Sequence, residues 1–228
     1  MFAVIFEVQP KTGRFDDYLA IAKSLRPQLE AIDGFIDIDR FASKRTDGRV
    51  LSLSIWRDEK AVIRWRTQGD HHRAQEMGRF EVFEDYRLRV GEVTADTERP
   101  DGAALAEQRF DTTETGAAKA MTISEAAGVA ADTLAAKLGL RPDADGLIDH
   151  DAFESIYHPG KVLLLAGWRD ASAAAAWSPA RPDGATSLRH RQVRVIRDYG
   201  MFERREAVQF YPEVTRDADH AERRHASG

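Results

Sequence analysis

One segment of this chain occurs twice. Residues 34–65, GFIDIDRFASKRTDGRVLSLSIWRDEKAVIRW, recur in altered form as residues 146–177, GLIDHDAFESIYHPGKVLLLAGWRDASAAAAW. Gly34 and Gly146, Gly48 and Gly160, Trp56 and Trp168, and Trp65 and Trp177 all stand 112 residues apart, so the register runs without a gap. For a chain of 228 residues this favours two units of about 100 residues each over one large core.

The pattern around the first copy reads βαββαβ. Residues 2–8 are rich in β-branched and aromatic side chains and break at Gln9-Pro10 and Gly13, which predicts a strand and a loop. From Asp16 on, Tyr18, Ile21, Ala22, Leu25, Leu29 and Ile32 follow helical spacing. Pro27 is expected to kink that helix and Asp33-Gly34 to close it. A hairpin follows, with strands over 35–43 and 49–56 about Asp47-Gly48. Asp58 then caps a helix that should run to Met77 with Ala61, Trp65, Gln68 and His72 on one face. Residues 81–93 form the last strand, with Tyr86, Leu88 and Val90 on one face.

The first domain is thus residues 1–93, and the polar stretch 94–102 is the linker. In the second domain, 103–212, the sequence predicts a weak strand near 104–110 and an alanine-rich helix over 124–138 that Gly139 stops. Thr122 with Glu125 fits a capping box, and Ser124 fits a cap equally well. After the repeated hairpin, Pro179 and Pro182 shorten the helix over 171–177. Two registers suit the last strand: Asp198-Tyr199 matching Asp85-Tyr86, or, as preferred here, Val193 and Ile196 matching Val90 and Val93. In the second, residues 197–207 are an extension outside the core strand. The charged tail 213–228 is expected to be disordered.

Composition removes several classes of function. Lys and Arg number 33 against 38 Asp and Glu, giving a net charge of −5, and no basic run offers a phosphate backbone a footing, so nucleic acid is not an expected partner. Without cysteine there is no disulfide, thiolate ligand or Cys nucleophile. The opening MFAVIFEVQP lacks a basic lead, and its apolar run is too short for a signal or a span, so a cytoplasmic protein with no membrane partner is the expectation. No nucleotide-binding glycine loop, zinc-protease or serine-hydrolase motif is present.

Two βαββαβ units make an α+β chain of two ferredoxin-like halves, each with helices on one sheet face and a bare apolar face on the other. Packing the bare faces sheet to sheet within one chain satisfies both. Gly34, Phe35, Phe41, Ser43, Gly48, Leu51, Trp56, Asp58, Ala61, Trp65 and His71 form a pattern that resembles the antibiotic biosynthesis monooxygenase family of the dimeric α+β barrel superfamily. The resemblance covers residues 1–93 and, more faintly, 103–200. It implies an intrachain barrel and a cofactor-independent monooxygenase acting on a small aromatic or quinol-like substrate in a pocket of the N-terminal half. The alternative is a non-catalytic barrel that binds a small hydrophobic ligand or haem. Pairing of two such chains into a homodimer stays open.

For haem degradation the resemblance implies an Asn on the first strand and an axial His near Ala74 or Gln75. The strand FAVIFEV has no Asn and neither position is His, so haem cleavage is not expected, although His71 could approach a haem from an earlier turn. No metal site is expected. His71 and His72 are the candidate bases, since imidazole titrates near neutrality and could take a proton from a phenol or activated methylene whose anion then reacts with O2. Trp56, Trp65, Arg79 and Tyr86 are the candidate substrate-binding residues, with Tyr86 placed to hydrogen-bond a phenolate and the two indoles, which recur in the second copy, fitting core packing better than a substrate wall. Asp37, Asp39, Asp149 and Asp151, repeated with the hairpin, fit salt-bridged strand edges better than acid–base work.

Overall fold

A computed structural model describes residues 1–100, 105 and 107–215. Its order is β1 (Phe2–Pro10), α1 (Phe15–Glu30), β2 (Phe35–Ser43), β3 (Val50–Trp56), α2 (Glu59–Arg66), α3 (Gly69–Met77), β4 (Phe83–Asp96), β5 (Ala120–Ala127), α4 (Leu134–Lys137), β6 (Leu147–Ser155), β7 (Lys161–Trp168), α5 (Ala171–Ala176) and β8 (Ser187–Gly200). The eight strands close into one antiparallel barrel in the order β1-β3-β2-β6-β7-β5-β8-β4. Each half contributes four strands, and the halves meet at two seams, β2 with β6 and β4 with β8. The inward faces share one core that includes Ile5, Phe41, Leu53, Val93, Ile123, Phe153, Leu165 and Val195. Among the described residues no helix is long and apolar enough to cross a membrane.

The repeated residues hold equivalent junctions. Gly34 and Gly146 both take positive φ, 93° and 77°, and a Cβ on either would lie 2.7 Å or 2.5 Å from the Cβ of Ala61 or Ala173, so glycine is required where each helix crosses the hairpin. Trp56 and Trp168 are fully buried, with their indole N–H groups donating to Ser54 Oγ and Thr122 Oγ1, both at 2.9 Å. Asp58 and Asp170 cap α2 and α5 by accepting from the N–H three residues on.

Several expectations give way to tertiary demands. The helix after Asp58 breaks at Thr67-Gln68, and a single π turn, Gly78–Val82, delays β4 to Phe83. β4 runs on to Asp96, so Thr94, Ala95 and Asp96 are strand and not linker. Residues 107–110 form no strand, and 101–104 and 106 lie outside the described residues. The alanine-rich stretch supplies β5 in place of the start of a helix: barrel closure needs a strand between β7 and β8, and Met121, Ile123 and Glu125 face inward there. Helical turns remain only at Ala131–Thr133 and Leu134–Lys137. Thr122 accepts the Trp168 N–H instead of capping.

In β8, Ala120 faces Arg194 as Phe2 faces Glu92 in the first half, one residue off the shorter of the two registers proposed, and the strand continues through Arg197 to Gly200. This register exposes a second repeat. Arg87, Arg89 and Asp96 recur 102 residues on as Arg189, Arg191 and Asp198. Asp198 accepts from Arg87 at 2.7 Å and from Arg89 at 3.3 Å, while Asp96 accepts from Arg189 at 2.7 Å and Arg191 at 3.3 Å, each bond crossing between the halves. Glu7 and Glu125 complete the two clusters from β1 and β5. At the other seam Ser155 and Lys161 donate to Asp39, and Ser43 donates to Asp151. Asp39 and Asp151 are therefore seam residues, Asp149 joins them by pairing with Arg45 at 2.6 Å, and Asp37 accepts only from the Ile38 N–H among the described residues.

Burial raises the Asp96 carboxyl, but the ion pairs with Arg189 and Arg191 outweigh it and hold the group below the usual carboxylate range. Asp96→Asn leaves Arg189 without its counter-ion and Arg191 with Glu125 alone, and should cost about 3–5 kcal/mol in urea unfolding at neutral pH. A depressed carboxylate stabilises above its unfolded value, about 3.9, and that contribution disappears as pH falls through the folded value. Urea midpoints of wild type and Asp96→Asn should accordingly converge below about pH 4.

Candidate functional site

The helix-facing side of the first half carries three rows of side chains set by strand register. Ile38, Ser54, Val4 and Val90 form one row; Arg40, Ser52, Phe6 and Leu88 the next; Tyr86 lies beyond them, opposite Val8. Tyr199 of β8 extends the middle row by pairing with Leu88. Between these rows and α1, α2 and α3 lies a cavity of about 190 Å³. Val4, Phe6, Leu25, Leu29, Val62 and Leu88 supply its apolar wall.

His71 reaches this cavity because the helix breaks. Gln68 caps α3 by accepting the His71 N–H at 2.8 Å and donates to Gln28 of α1 at 2.6 Å. In an unbroken helix residues six apart would lie on different faces. Here the His71 ring stacks on Trp65, 4.2 Å between centroids and 17° between planes, with Nδ1 3.0 Å from the Trp65 carbonyl. A carbonyl only accepts, so Nδ1 carries the proton and Nε2 keeps its lone pair. Burial, reinforced by the charge of a protonated His72 and only partly offset by the Trp65 carbonyl, pushes the His71 imidazole down to about 4, so it is neutral at physiological pH.

The other predicted residues divide. Trp65, Arg79 and Tyr86 line the cavity with His71. Trp56 does not: it is sealed against Phe35 beneath the hairpin, 5.5 Å between ring centroids, which corrects its expected place at a substrate. His72 is exposed and lies outside the lining, stacked on Tyr211 at 5.4 Å, so the pair of histidines supplies one ring to the cavity. Gly78 lets the π turn form under Phe83, whose ring would sit 2.4 Å from a Cβ at that position, and this turn carries Arg79 inward to 2% exposure.

Residues after β8 cross back over the first half and roof the cavity. Arg204 and Arg79 each donate to the Tyr86 hydroxyl oxygen at 2.8 Å, leaving the Tyr86 proton available to a ligand. Arg79 also donates to the carbonyls of Met201 and Pro212. Gln209 donates to the Arg66 carbonyl, and the Tyr211 hydroxyl donates to Gln75 Oε1 at 3.0 Å. Burial pushes the Tyr211 hydroxyl up to about 12, which keeps it a donor. Arg204, Gln209 and Tyr211 were not expected in the site, and neither were Arg40, Ser52 and Ser54. Among the described residues the lining contains four arginines, Arg40, Arg66, Arg79 and Arg204, and no carboxylate.

Residues 1–77 match the family model described as antibiotic biosynthesis monooxygenase. A jasmonate monooxygenase ABM of Pyricularia oryzae is 46% identical over 222 residues, which cover 93% of this chain and 99% of that one. A protein of Bacillus subtilis, YqjZ, is 33% identical over 92 residues, 40% of this chain and 78% of its own. Among solved structures, an anthrone oxidase-like protein aligns over 91% of this chain and 96% of that chain at 14% identity and a TM-score of 0.35. With 46% identity to a relative spanned almost end to end, the chain belongs to the antibiotic biosynthesis monooxygenase family.

Proposed function

We propose that the chain is a monooxygenase that needs no cofactor, and that its reaction takes place in the cavity of the N-terminal half. The observation that carries this reading is His71: a neutral imidazole whose Nδ1 is fixed on the Trp65 carbonyl, leaving Nε2 for a ligand in an apolar cavity. Nε2 accepts a proton from an acidic C–H or O–H of the substrate. A base held down to about 4 needs an acid strengthened by its surroundings, and the Arg79, Arg204 and Tyr86 group supplies positive charge and a hydrogen bond for the developing anion. The substrate anion passes one electron to O2, the two radicals combine, and loss of water from the hydroperoxide leaves a carbonyl. In sum, an activated methylene and one molecule of O2 give a ketone and one molecule of water, so the substrate supplies all the electrons and no external reductant enters.

The substrate class is a small, mainly apolar molecule with an activated C–H or phenolic O–H. Small aromatic or quinol-like compounds meet that description. So does the jasmonate in the name of the Pyricularia oryzae relative, since an alicyclic ketone carries acidic C–H bonds beside its carbonyl. Oxygen uptake with anthrone, in the presence of chelator and without added flavin, should yield one product ketone per O2 consumed. His71→Ala should lower kcat/KM by about 100-fold or more. His72→Ala, which touches only Tyr211 at the edge of the site, should leave kcat unchanged. Ligand binding without oxygen uptake would instead favour a binding barrel with no catalysis.

The acidic limb of the rate gives a second check. His71 acts only when neutral, so kcat/KM should hold its plateau down through pH 6.5 and fall near pH 4. A limb at about 6.5, the value of an unperturbed imidazole, would mean that another group is the base.

A further inference from the structure

Arg40 is charged, 8% exposed and without a counter-ion among the described residues. Among the described residues its guanidinium makes one hydrogen bond, a long one of 3.4 Å from Nε to the Tyr18 hydroxyl, and its Cζ lies 6.0 Å from the Tyr18 ring centroid. Among the described residues it forms no ion pair, and the cavity it lines contains no carboxylate. Neighbouring Asp39 cannot neutralise it, because successive strand residues point to opposite faces and Asp39 is engaged by Lys161 and Ser155 across the seam. A desolvated guanidinium in this state carries an electrostatic cost that an anion in the cavity would remove. Backbone bonding holds it in place, since the Arg40 carbonyl accepts the Ile156 N–H at 2.8 Å and β3 flanks its other edge.

The second copy shows what the position becomes without a ligand. The residue 112 positions on is Ala152, and Ser52 and Ser54 correspond to Leu164 and Ala166, which pack with Leu134 and Leu138 in a filled core.

We propose that Arg40 is the carboxylate anchor of the site. A hydrophobic acid pairs its carboxylate with the Arg40 guanidinium, assisted by the adjacent Ser52 hydroxyl, and lays its apolar part across Phe6 and Leu88 toward Tyr86. The row from Arg40 to Leu88 spans three strand spacings, about 14 Å, which suits a medium-chain or ring-bearing acid. The proposal rests on reading this cavity as the substrate site, and it adds a carboxylate as the group that tightens binding there.

Calorimetric titration of the full chain with sodium octanoate and with octanamide tests it. Wild type should bind octanoate about tenfold or more tighter than octanamide. Arg40→Gln should abolish that preference by weakening octanoate alone, and Arg40→Lys should keep part of it. Arg40→Met, which removes the unpaired charge, should raise the melting temperature of the ligand-free protein. A preference unchanged in Arg40→Gln, a wild type that binds neither probe or does not distinguish them, or a lower melting temperature for Arg40→Met would each overturn the assignment. Binding is read without turnover, so loss of oxygen uptake and loss of carboxylate preference are separable results.

Discussion

Everything in this molecule depends on the buried ion clusters that join β4 to β8. The β2–β6 seam pairs only three residues of each strand, whereas β4 and β8 pair over nine. Along that longer seam Asp96 and Asp198 each bridge two arginines of the opposite half, and the arginines reach on to Glu125 and Glu7. Such clusters return little net stability over an apolar seam, but a register slip would strand several charges in the interior. Their consequence is positional. The register they impose sets Tyr199 beside Leu88 and starts the crossing segment at Gly200, from which Arg204, Gln209 and Tyr211 reach the cavity.

The two halves therefore share a scaffold and divide the work. Equivalent glycines, tryptophans and aspartates hold equivalent junctions in both, and these are the residues the repeat preserves. Where the first half opens a cavity the second has filled it: Leu134, Leu138, Leu140, Leu164 and Trp168 share one buried cluster. Trp177 and His190, 5.4 Å apart there, each retain a buried ring nitrogen without a hydrogen-bond partner among the described residues, and burial pushes His190 down to about 4. The second half gives the first its closed barrel and the roof of its cavity.

The barrel was legible because its signals are local and doubled: the hairpin, the junction glycines and the capped helices recur at one spacing. β5 was hidden because an alanine-rich run has helical propensity, and only the gap between β7 and β8 makes it a strand. His71 was legible as a residue type but not as a position, since its stacking on Trp65 requires the helix break that Gln68 and Gln28 create through a long-range bond. Arg40, Ser52 and Ser54 were within reach: comparing the copies position by position sets them against Ala152, Leu164 and Ala166. The roof was out of reach, because nothing local to residues 201–212 tells that they return to the other half.

The central claim is that one chain has one ligand site, in the first half and against Trp65. Tryptophan fluorescence tests it directly, with Trp65→Phe and Trp177→Phe titrated with octanoate. The account predicts one octanoate per chain, a fluorescence change that persists in full in Trp177→Phe, and its loss in Trp65→Phe. Two equivalents per chain, or a change that vanishes with Trp177 and survives without Trp65, would contradict it.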